Sequence, residues 1–363
     1  MGNVPYLALH LISEGGPAIA SILDIAKKAG VSKTTVSKVL NRQYGVHAET
    51  RKRVLEAAEA LHYTPNIAAR SLVMSKSGVI GVVYDSFRSP LYMELATQLE
   101  HHAMVSGYRL VFCSCNEDPD AKSGYIRYFM GGAADGIILF GSAEGDEAIL
   151  DQVTAVDYPC AVIENHVEHL SIPNVLIDNL SGAAQAVDYL YERGHRAIAH
   201  VTGNLLHKVA VDRRDGFVKA MEEHGLSAPP ERLLSTEGTI GCGTKAAAQL
   251  LAMKERPTAV FVFNDLIAYE MMDALHQARC RIPEDLSVVG FDHLVGLLSF
   301  KPGPLELTSL SQPLSDVAAA AIDLVAALVA GNAPQEKVRL FWPELKEGNT
   351  CRTLPPERAS DPE

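Results

Sequence analysis

The sequence predicts an α/β protein in which a small helical head precedes a larger body of two doubly wound lobes, each built on a parallel sheet. The length of 363 residues exceeds what a single hydrophobic core usually serves. Apolar positions recur at helical spacing from Ser21 to Leu61, whereas from Val79 onward short β-branched runs alternate with helical stretches. This change of pattern separates a helical domain from a body made of βαβ units.

The body contains more predicted strands than one sheet comfortably holds. Strands are predicted at 79–83, 108–113, 136–140, 160–163, 175–177, 197–201, 259–263 and 286–291, with helices at 91–105, 121–131, 146–153, 182–193, 213–224 and 266–278. Strands that are apolar throughout are typical of parallel sheets buried on both faces. We therefore expect two lobes, approximately 78–179 with 308–331 and 180–307 with 332–353. A ligand cleft is expected between the lobes, at the carboxyl ends of the strands.

The head has the spacing of a helix-turn-helix. Its first helix ends in a turn at Gly30, and Ser32 begins the second helix as the N-cap. An apolar stripe runs along one side of the second helix: Val36, Val39 and Leu40. The opposite face carries donors suited to base edges and phosphates in a major groove: Lys33, Thr34, Ser37, Lys38 and Asn41.

The charge of the chain is divided unevenly. The net charge is −12, yet residues 20–76 hold ten basic and four acidic side chains. Residues 1–19 contain one charged side chain, Glu14, so the 287 residues from 77 onward carry a charge of −17. A basic head on an acidic body indicates a local contact with a polyanion such as DNA. A plain three-helix bundle with a solvated charged face is the alternative interpretation.

The remaining segments are short. Residues 1–20 form an extension that we expect to be disordered; an export signal or a translation start placed too far upstream are alternatives. The head spans 21–63 and is followed by a hinge helix and linker at 64–77, in which small residues would let two copies of the chain approach. An Ala-rich connector is the alternative interpretation of the hinge segment. A polar tail occupies 354–363.

Two other protein classes are disfavoured by composition. Apolar runs are too short to span a membrane, and six cysteines without a CxxC pair predict reduced thiols and neither a disulfide scaffold nor a metal site. No nucleophile elbow, phosphate-binding loop or HExxH helix suggests catalysis. No cofactor is expected.

The order of motifs along the chain resembles the LacI/GalR family of bacterial transcriptional regulators. The resemblance covers about residues 21–353. It is carried by the run from Ile22 to Asn41, by Glu49-Thr50-Arg51, His62-Tyr63-Thr64-Pro65-Asn66 and Ala69-Arg70-Ser71-Leu72, and in the body by 191–198, 263–265, 288–292 and 307–313.

The resemblance implies roles for residues of the head and hinge. Lys33, Thr34 and Lys38 stand where family members read bases, and Ser32 and Asn41 where they contact the phosphate backbone. The hinge would place Ala69 beside a symmetry mate and Leu72 in the central minor-groove step. It further implies a cytoplasmic homodimer on a near-palindromic operator. His47 departs from the family as a weak cap of the third helix, and Val73 replaces a common lysine.

The resemblance also implies a periplasmic-binding-protein-like body whose cleft holds a small-molecule effector. Six residues are candidates for effector binding: Tyr92, Asp178, Arg213, Asn264, Asp292 and Gln312. Arg213 matches the family's pocket arginine, whose planar fork suits vicinal hydroxyls or a carboxylate. Asp178 and Gln312 lie near expected lobe crossovers, where a hinge role is the alternative.

The sequence therefore predicts a DNA-binding regulator, a repressor, controlled by a sugar or sugar derivative. A nucleobase or another internal metabolite is an alternative effector. A periplasmic-type sugar-binding protein without DNA function is the rival class, and an enzyme with a vestigial DNA-binding head is a second rival.

Overall fold

The computed structural model describes residues 20–41, 43–64, 76–86, 89–116, 118–141, 146–164, 172–295 and 304–355. It divides into two compact units, one up to Ser75 and one from Lys76 onward. The predicted extension, almost all of the hinge and most of the tail lie outside the described residues.

The described part of the head, residues 20–41 and 43–64, forms three helices: α1 Ile22–Ala29, α2 Lys33–Leu40 and α3 Ala48–Ala60. Ser21 and Asp24 form a capping box at the start of α1. Gly30 ends α1 at φ 64°, in the left-handed region where a side chain would be strained. Ser32 caps α2 by accepting from the Thr35 N–H at 3.1 Å, as predicted, whereas His47 makes no side-chain cap bond. The core is small: Ile25, Ala26, Ala29, Val36, Val39, Val54, Ala57 and Ala58.

Within its described residues, the body contains two six-stranded sheets. The first sheet has the order β11-β5-β4-β3-β1-β2, and its pairings are all parallel. The second sheet has the order β12-β10-β9-β8-β6-β7 and is parallel except for the β10–β12 pair. The strands are β1 Val79–Tyr84, β2 Arg109–Ser114, β3 Gly136–Phe140, β4 Cys160–Ile163, β5 Asn174–Ile177, β6 Ile198–Val201, β7 Leu233–Leu234, β8 Ala259–Val262, β9 Ser287–Asp292, β10 Thr308–Ser311, β11 Val338–Phe341 and β12 Glu344–Lys346.

Helices cover both faces of each sheet, which makes each lobe doubly wound. The helices are α4 Pro90–Val105, α5 Pro119–Tyr128, α6 Asp146–Ala155, α7 Asn179–Glu192, α8 Lys208–Glu223, α9 Cys242–Ala252, α10 Asp265–Gln277 and α11 Leu314–Val329, with a π turn at Phe129–Ala133 and a 3₁₀ turn at Pro230–Arg232. One core of the first lobe packs beneath α4 and α11 and the other beneath α5 and α6. The second lobe is packed in the same way, with α7 and α8 on one face and α9 and α10 on the other.

The structure corrects the predicted lobe boundaries at two strands. We expected 308–331 in the first lobe and 332–353 in the second. Instead β10 pairs with β9 in the second sheet, and β11 pairs with β5 in the first. Two other elements lie where expected: α11 packs against β3, β4 and β5, and β12 pairs with β10 in the second sheet. Over the ranges that the structure describes, the chain therefore passes between the lobes at three places: after β5, after β10 and after β11. Sequence could not assign these strands, because both lobes offer an open sheet edge.

Among the described ranges, no helix is both long and apolar enough to cross a lipid bilayer.

Candidate functional site

The head exposes the helix face that the sequence assigns to DNA. The side chains of Lys33, Thr34, Lys38 and Asn41 are exposed, while Val36 and Val39 on the opposite side are buried. Ser37 is half-buried and accepts a hydrogen bond from Asn41 Nδ2 at 3.4 Å. Ser32 is exposed, and its hydroxyl caps the helix. Ala69 and Leu72 lie outside the described residues.

Arg51 braces the end of α2 and was not predicted to have this role. Its guanidinium donates to the Gln43 carbonyl at 2.7 Å and to the Val39 carbonyl at 3.4 Å. These carbonyls belong to the end of α2 and to the turn after it, where a helix leaves acceptors without intrahelical partners. Arg51 therefore links α3 to the helix that carries the exposed polar face.

In the body, a cavity of about 490 Å³ lies between the two lobes. Its walls are the carboxyl ends of strands from both sheets, the place where open α/β sheets bind ligands. The residues that line it include Asp85, Ser86, Tyr92, Phe140, Gly141 and Glu164 from the first lobe, and Lys208, Arg213, Glu237, Phe263, Asn264, Asp292 and Gln312 from the second lobe and the crossover after β10.

Arg213 on α8 is the most constrained side chain of the second-lobe wall. Its guanidinium, in a side chain 4% exposed, donates to Asn179 Oδ1 at 2.9 Å and to the Phe263 carbonyl at 2.5 Å. It also stacks on the Phe291 ring at 3.5 Å from the centroid. A fork fixed at this many points can present its remaining N–H groups to a ligand without an ordering cost.

Asp292 at the end of β9 lies beside this arginine. Its Oδ1 is 3.7 Å from Arg213 Nη2 and accepts from Gln312 Nε2 at 2.6 Å. Its backbone has φ 110°, a strained conformation that aspartate adopts only when its surroundings require it. Burial raises the pKa of Asp292 to about 6, against the opposing effect of the Arg213 charge.

Two of the six predicted effector residues serve as helix caps. Asn264 lines the cavity, but its side-chain oxygen accepts from the Ile267 N–H at 2.9 Å and caps α10. The Asp178 carboxylate accepts from the Ser181 N–H at 2.9 Å and caps α7, and Asp178 is not part of the lining of this cavity. Tyr92, the sixth candidate, lines the cavity and packs edge-on against Phe140 with ring centroids 4.7 Å apart.

Sequence reasoning missed two acidic residues of the first-lobe wall. Asp85 follows β1 and Glu164 follows β4, both buried and both lining the cavity. Burial raises the pKa of Glu164 to about 7, although the Ile177 N–H and Asn179 Nδ2 both donate to its carboxylate. A signal was present, because each follows directly on an apolar strand, as Asp292 does.

A third buried acid, Asp265, stabilises the strand ends that line the cavity. Asp265 accepts from Ser309 Oγ at 2.6 Å and from the Leu294 N–H at 2.8 Å. Burial and the nearby Asp292 carboxylate raise the pKa of Asp265 to about 8. It joins α10 to the strand ends on which Asp292 is carried.

Comparison with known proteins agrees with both units. Residues 21–66 match the family described as bacterial regulatory proteins, lacI family, and residues 187–351 match the periplasmic binding protein-like domain. The chain is 32% identical over 340 residues to the HTH-type transcriptional repressor PurR of Vibrio atlanticus (strain LGP32), covering 93% of this chain and all of that one. It is also 32% identical over 301 residues to the HTH-type transcriptional regulator DegA of Bacillus subtilis (strain 168), covering 82% of this chain and 88% of the relative.

Among solved structures, the fold is similar to the lac repressor dimer bound to operator and the anti-inducer ONPF. The TM-score is 0.81 at 23% sequence identity, over 92% of this chain and 99% of that one.

A helix-turn-helix with an exposed polar face, joined in one chain to a two-lobed ligand cavity, defines the class of DNA-binding regulators controlled by a small molecule. Its curated relatives are transcriptional regulators over nearly the whole chain. The protein belongs to the lacI family of bacterial regulatory proteins.

Proposed function

We propose that this chain is a cytoplasmic transcriptional repressor that binds a near-palindromic operator as a homodimer and whose operator affinity is set by a ligand in the body cavity. One observation carries the proposal: a single cavity is lined by strand ends of both lobes. A ligand that contacts both lobes stabilises one relative arrangement of them, and that differential binding is what couples two sites.

In the head, the proposed base-reading residues are Lys33, Thr34 and Lys38. Their exposure on one face of α2 supports this role, since donors on a helix in the major groove meet base edges. Asn41, Ser37 and the start of α2 at Ser32 would contact phosphates. Ala69 and Leu72 are proposed for the hinge, with Leu72 entering the minor groove between the half-sites.

In the cavity, the proposed ligand is a sugar or sugar derivative. Arg213 would donate to neighbouring hydroxyls, while Asp292 and Gln312 accept from and donate to others. Tyr92 and Phe263 offer ring faces for the apolar side of a sugar ring, and Asn264 adds an amide at the rim. We do not propose Asp178 as a direct contact, because it is not part of the cavity lining and its carboxylate caps α7.

The DNA assignment is tested with two exposed lysines of the head. Operator fragments are first selected from genomic DNA, and binding of the full-length protein is then measured against scrambled duplex. Lys38→Ala should lower operator affinity about 5- to 100-fold and reduce discrimination, because it removes a base contact. The matched variant Lys52→Ala, on the exposed side of α3, should change both affinities only slightly. Equal losses in the two variants would contradict the assignment of α2.

The ligand assignment is tested with two neighbouring arginines. A cell extract or a sugar panel is screened for a change in operator binding by the wild-type protein. Arg213→Ala should abolish that change and leave ligand-free operator binding intact. Arg214→Ala should retain the response, because Arg214 pairs with Asp215 on the surface. A response that survives in Arg213→Ala would place the effector elsewhere.

We also propose that the protein binds its ligand without turnover. Its curated relatives are regulators, and chemistry at the cavity would have to proceed on groups already engaged in structural bonds. Mass spectrometry of the ligand recovered after overnight incubation should return the unchanged compound. Stoichiometric or catalytic conversion would refute this part of the proposal.

A further inference from the structure

The chain turns at the end of β9 through two consecutive residues with strained backbones. Asp292 has φ 110° and His293 has φ 53°, both in the region that favours glycine. A residue with a side chain keeps such a conformation only where its surroundings hold it there. Because Asp292 is the first of the two, the backbone of this turn also sets the direction in which the Asp292 carboxylate points.

The two amide groups of this turn are held by a buried pair of side chains. Asp265 Oδ2 accepts from the Leu294 N–H at 2.8 Å, and Asp265 Oδ1 accepts from Ser309 Oγ at 2.6 Å. Ser309 Oγ in turn accepts from the His293 N–H at 3.1 Å. Asp265 and Ser309 are both buried, so water does not compete for these bonds. One carboxylate thus fixes two successive amides, one directly and one through a hydroxyl.

The place of the Asp265 carboxylate is itself fixed by the strands it lies against. Asp265 is the first residue of α10. Gly290 on β9 and Ser309 on β10 are register partners, and a Cβ at Gly290 would clash with Oδ1 of Asp265. The glycine therefore provides the space through which the carboxylate reaches the Ser309 hydroxyl. A helix start, two strands and the strained turn meet at this one side chain.

Asp292 is the cavity residue whose position depends on this arrangement. Its carboxylate accepts from Gln312 Nε2 at 2.6 Å and lies 3.7 Å from Arg213 Nη2, and all three residues line the cavity. Asp265 is not among the described residues that line it. The bonds of Asp265 reach the backbone next to Asp292, so its effect on a ligand is exerted through the direction of the Asp292 carboxylate.

We propose that Asp265 and Ser309 are positioning residues for ligand recognition: they hold the strained turn and thereby aim the Asp292 carboxylate at the ligand. The inference rests on the proposed ligand role of the cavity and adds to it two residues that do not touch the ligand. A direct contact that is held in place by such a support loses little freedom when the ligand binds, which raises affinity. Loosening the support should therefore weaken the ligand response.

The test removes one buried serine hydroxyl at a time. Ser309→Ala takes away the hydroxyl that holds the His293 N–H and donates to Asp265. Ser287→Ala, at the first residue of β9, is the matched control, because this buried hydroxyl also accepts a backbone N–H, that of Arg352 at 3.1 Å. The probe is the small-molecule fraction of a cell extract, added in serial dilution to the full-length protein on a selected operator fragment. The dilution that gives half of the maximal change in operator binding measures the apparent affinity.

We expect Ser309→Ala to need about 10- to 100-fold more extract than wild type, the loss typical when a group that orients a direct metal ligand is removed. Ser287→Ala should respond as wild type does, although both variants lose some thermal stability. Ligand-free operator binding should be the same in all three proteins.

The decisive variant combines Ser309→Ala with His293→Gly. Glycine adopts a positive φ without strain, so the turn no longer needs its support and the sensitivity to extract should recover by about threefold or more. A loss caused by general damage to the fold would not recover in this way. Asp265→Ala releases both amides and should lose at least as much sensitivity as Ser309→Ala. Adding Ser309→Ala to it should cause little further loss, because the two residues act as one unit.

Equal losses of sensitivity in Ser309→Ala and Ser287→Ala would overturn the inference. So would a Ser309→Ala variant that responds like wild type, or one that His293→Gly does not improve. The proposed regulatory function is judged separately, from wild type and Arg213→Ala. If the extract alters operator binding in wild type but not in Arg213→Ala, the regulatory function stands whatever the serine variants do. If no extract alters operator binding in wild type, the regulatory function fails and the inference fails with it.

Discussion

The head and the body place their functional side chains in opposite environments. In the head, Lys33, Thr34 and Lys38 project into solvent from a helix whose other side forms the core. In the body, Arg213 and Asp292 are almost completely buried and belong to a network of hydrogen bonds and ion pairs. DNA is a large polyanion that comes to a surface, whereas a small ligand must be enclosed to gain affinity. Substitutions at the two sites should therefore have different costs.

The largest difference should appear when a lysine is removed from each region. Lys122→Met leaves Asp85 and Asp146 buried without their cation, and breaking a buried pair in this way costs about 3–5 kcal/mol. Lys33→Met removes an exposed charge and should change stability by less than about 0.5 kcal/mol. Urea unfolding followed by circular dichroism measures both. Equal effects would mean that the buried cluster is not a stabilising unit.

Because its core is small, the head should be sensitive to the truncation of a single buried side chain. Ile25 is fully buried, and Ile25→Ala should destabilise the head by about 2–4 kcal/mol and abolish operator binding. The body should still show its ligand-induced rise in melting temperature. Leu23→Ala, at a position 63% exposed, is the matched control and should bind operator normally. Loss of the ligand response in Ile25→Ala would show that the two units do not fold independently.

The two regions should also respond to pH with opposite sign. Burial raises the pKa of Asp265 from 3.8 to about 8, so its stabilising contribution is present in full below about pH 4 and is lost as the pH rises through 8. We expect the free energy of unfolding of the body to fall by on the order of 2 kcal/mol between pH 5 and 8.5, and to fall by less in the Asp265→Asn variant. In the head, the Ser21 hydrogen bonds lower the pKa of Asp24. The stabilising contribution of Asp24 is therefore lost only as the pH falls through this lowered pKa. Unfolding monitored separately in each unit from about pH 2 to 8.5 checks both directions.

The smallest effects concern the two caps of the head. Ser32→Ala should cost about 1 kcal/mol, since it removes the hydroxyl that accepts from the Thr35 N–H. His47→Ser should raise the free energy of unfolding of the head by a few tenths of a kcal/mol up to about 1 kcal/mol, because α3 begins without a side-chain cap bond. Thermal unfolding of the head in both variants provides the comparison. A destabilised His47→Ser variant would indicate that the imidazole has another role.

The fold class followed from local patterns. Buried parallel strands are apolar along their whole length, so β1, β3, β4, β6, β8 and β9 were evident from composition alone. The last strands were not, because β11 alternates exposed and half-buried residues at a sheet edge. The lobe of β11 depends on its pairing with β5, more than a hundred positions earlier in the chain, and no local pattern encodes that pairing.

The site was predictable to a lesser degree, for the same reason. The polar face of α2 depends on the periodicity of eight consecutive residues, which sequence displays directly. The cavity depends on residues from many strand ends meeting in space. Asp292 was predicted because it matches the family, whereas Asp85 and Glu164 lie after strands of identical character and were overlooked. Asn264 and Asp178 were predicted as effector contacts, and both serve as helix caps. A polar residue that follows a strand can have either role.

The exchange of strands near the C-terminus has a consequence for synthesis of the chain. The first sheet needs β11 and the second needs β12, and only Trp342 and Pro343 separate these strands. Neither lobe can be completed until residues 338–346 have left the ribosome. The nascent body must therefore wait with both sheets unfinished, while the head, whose helices are contiguous in sequence, is free to fold at once. A stop codon ahead of Val338 would remove both strands, and would therefore damage both lobes together and spare the N-terminal bundle.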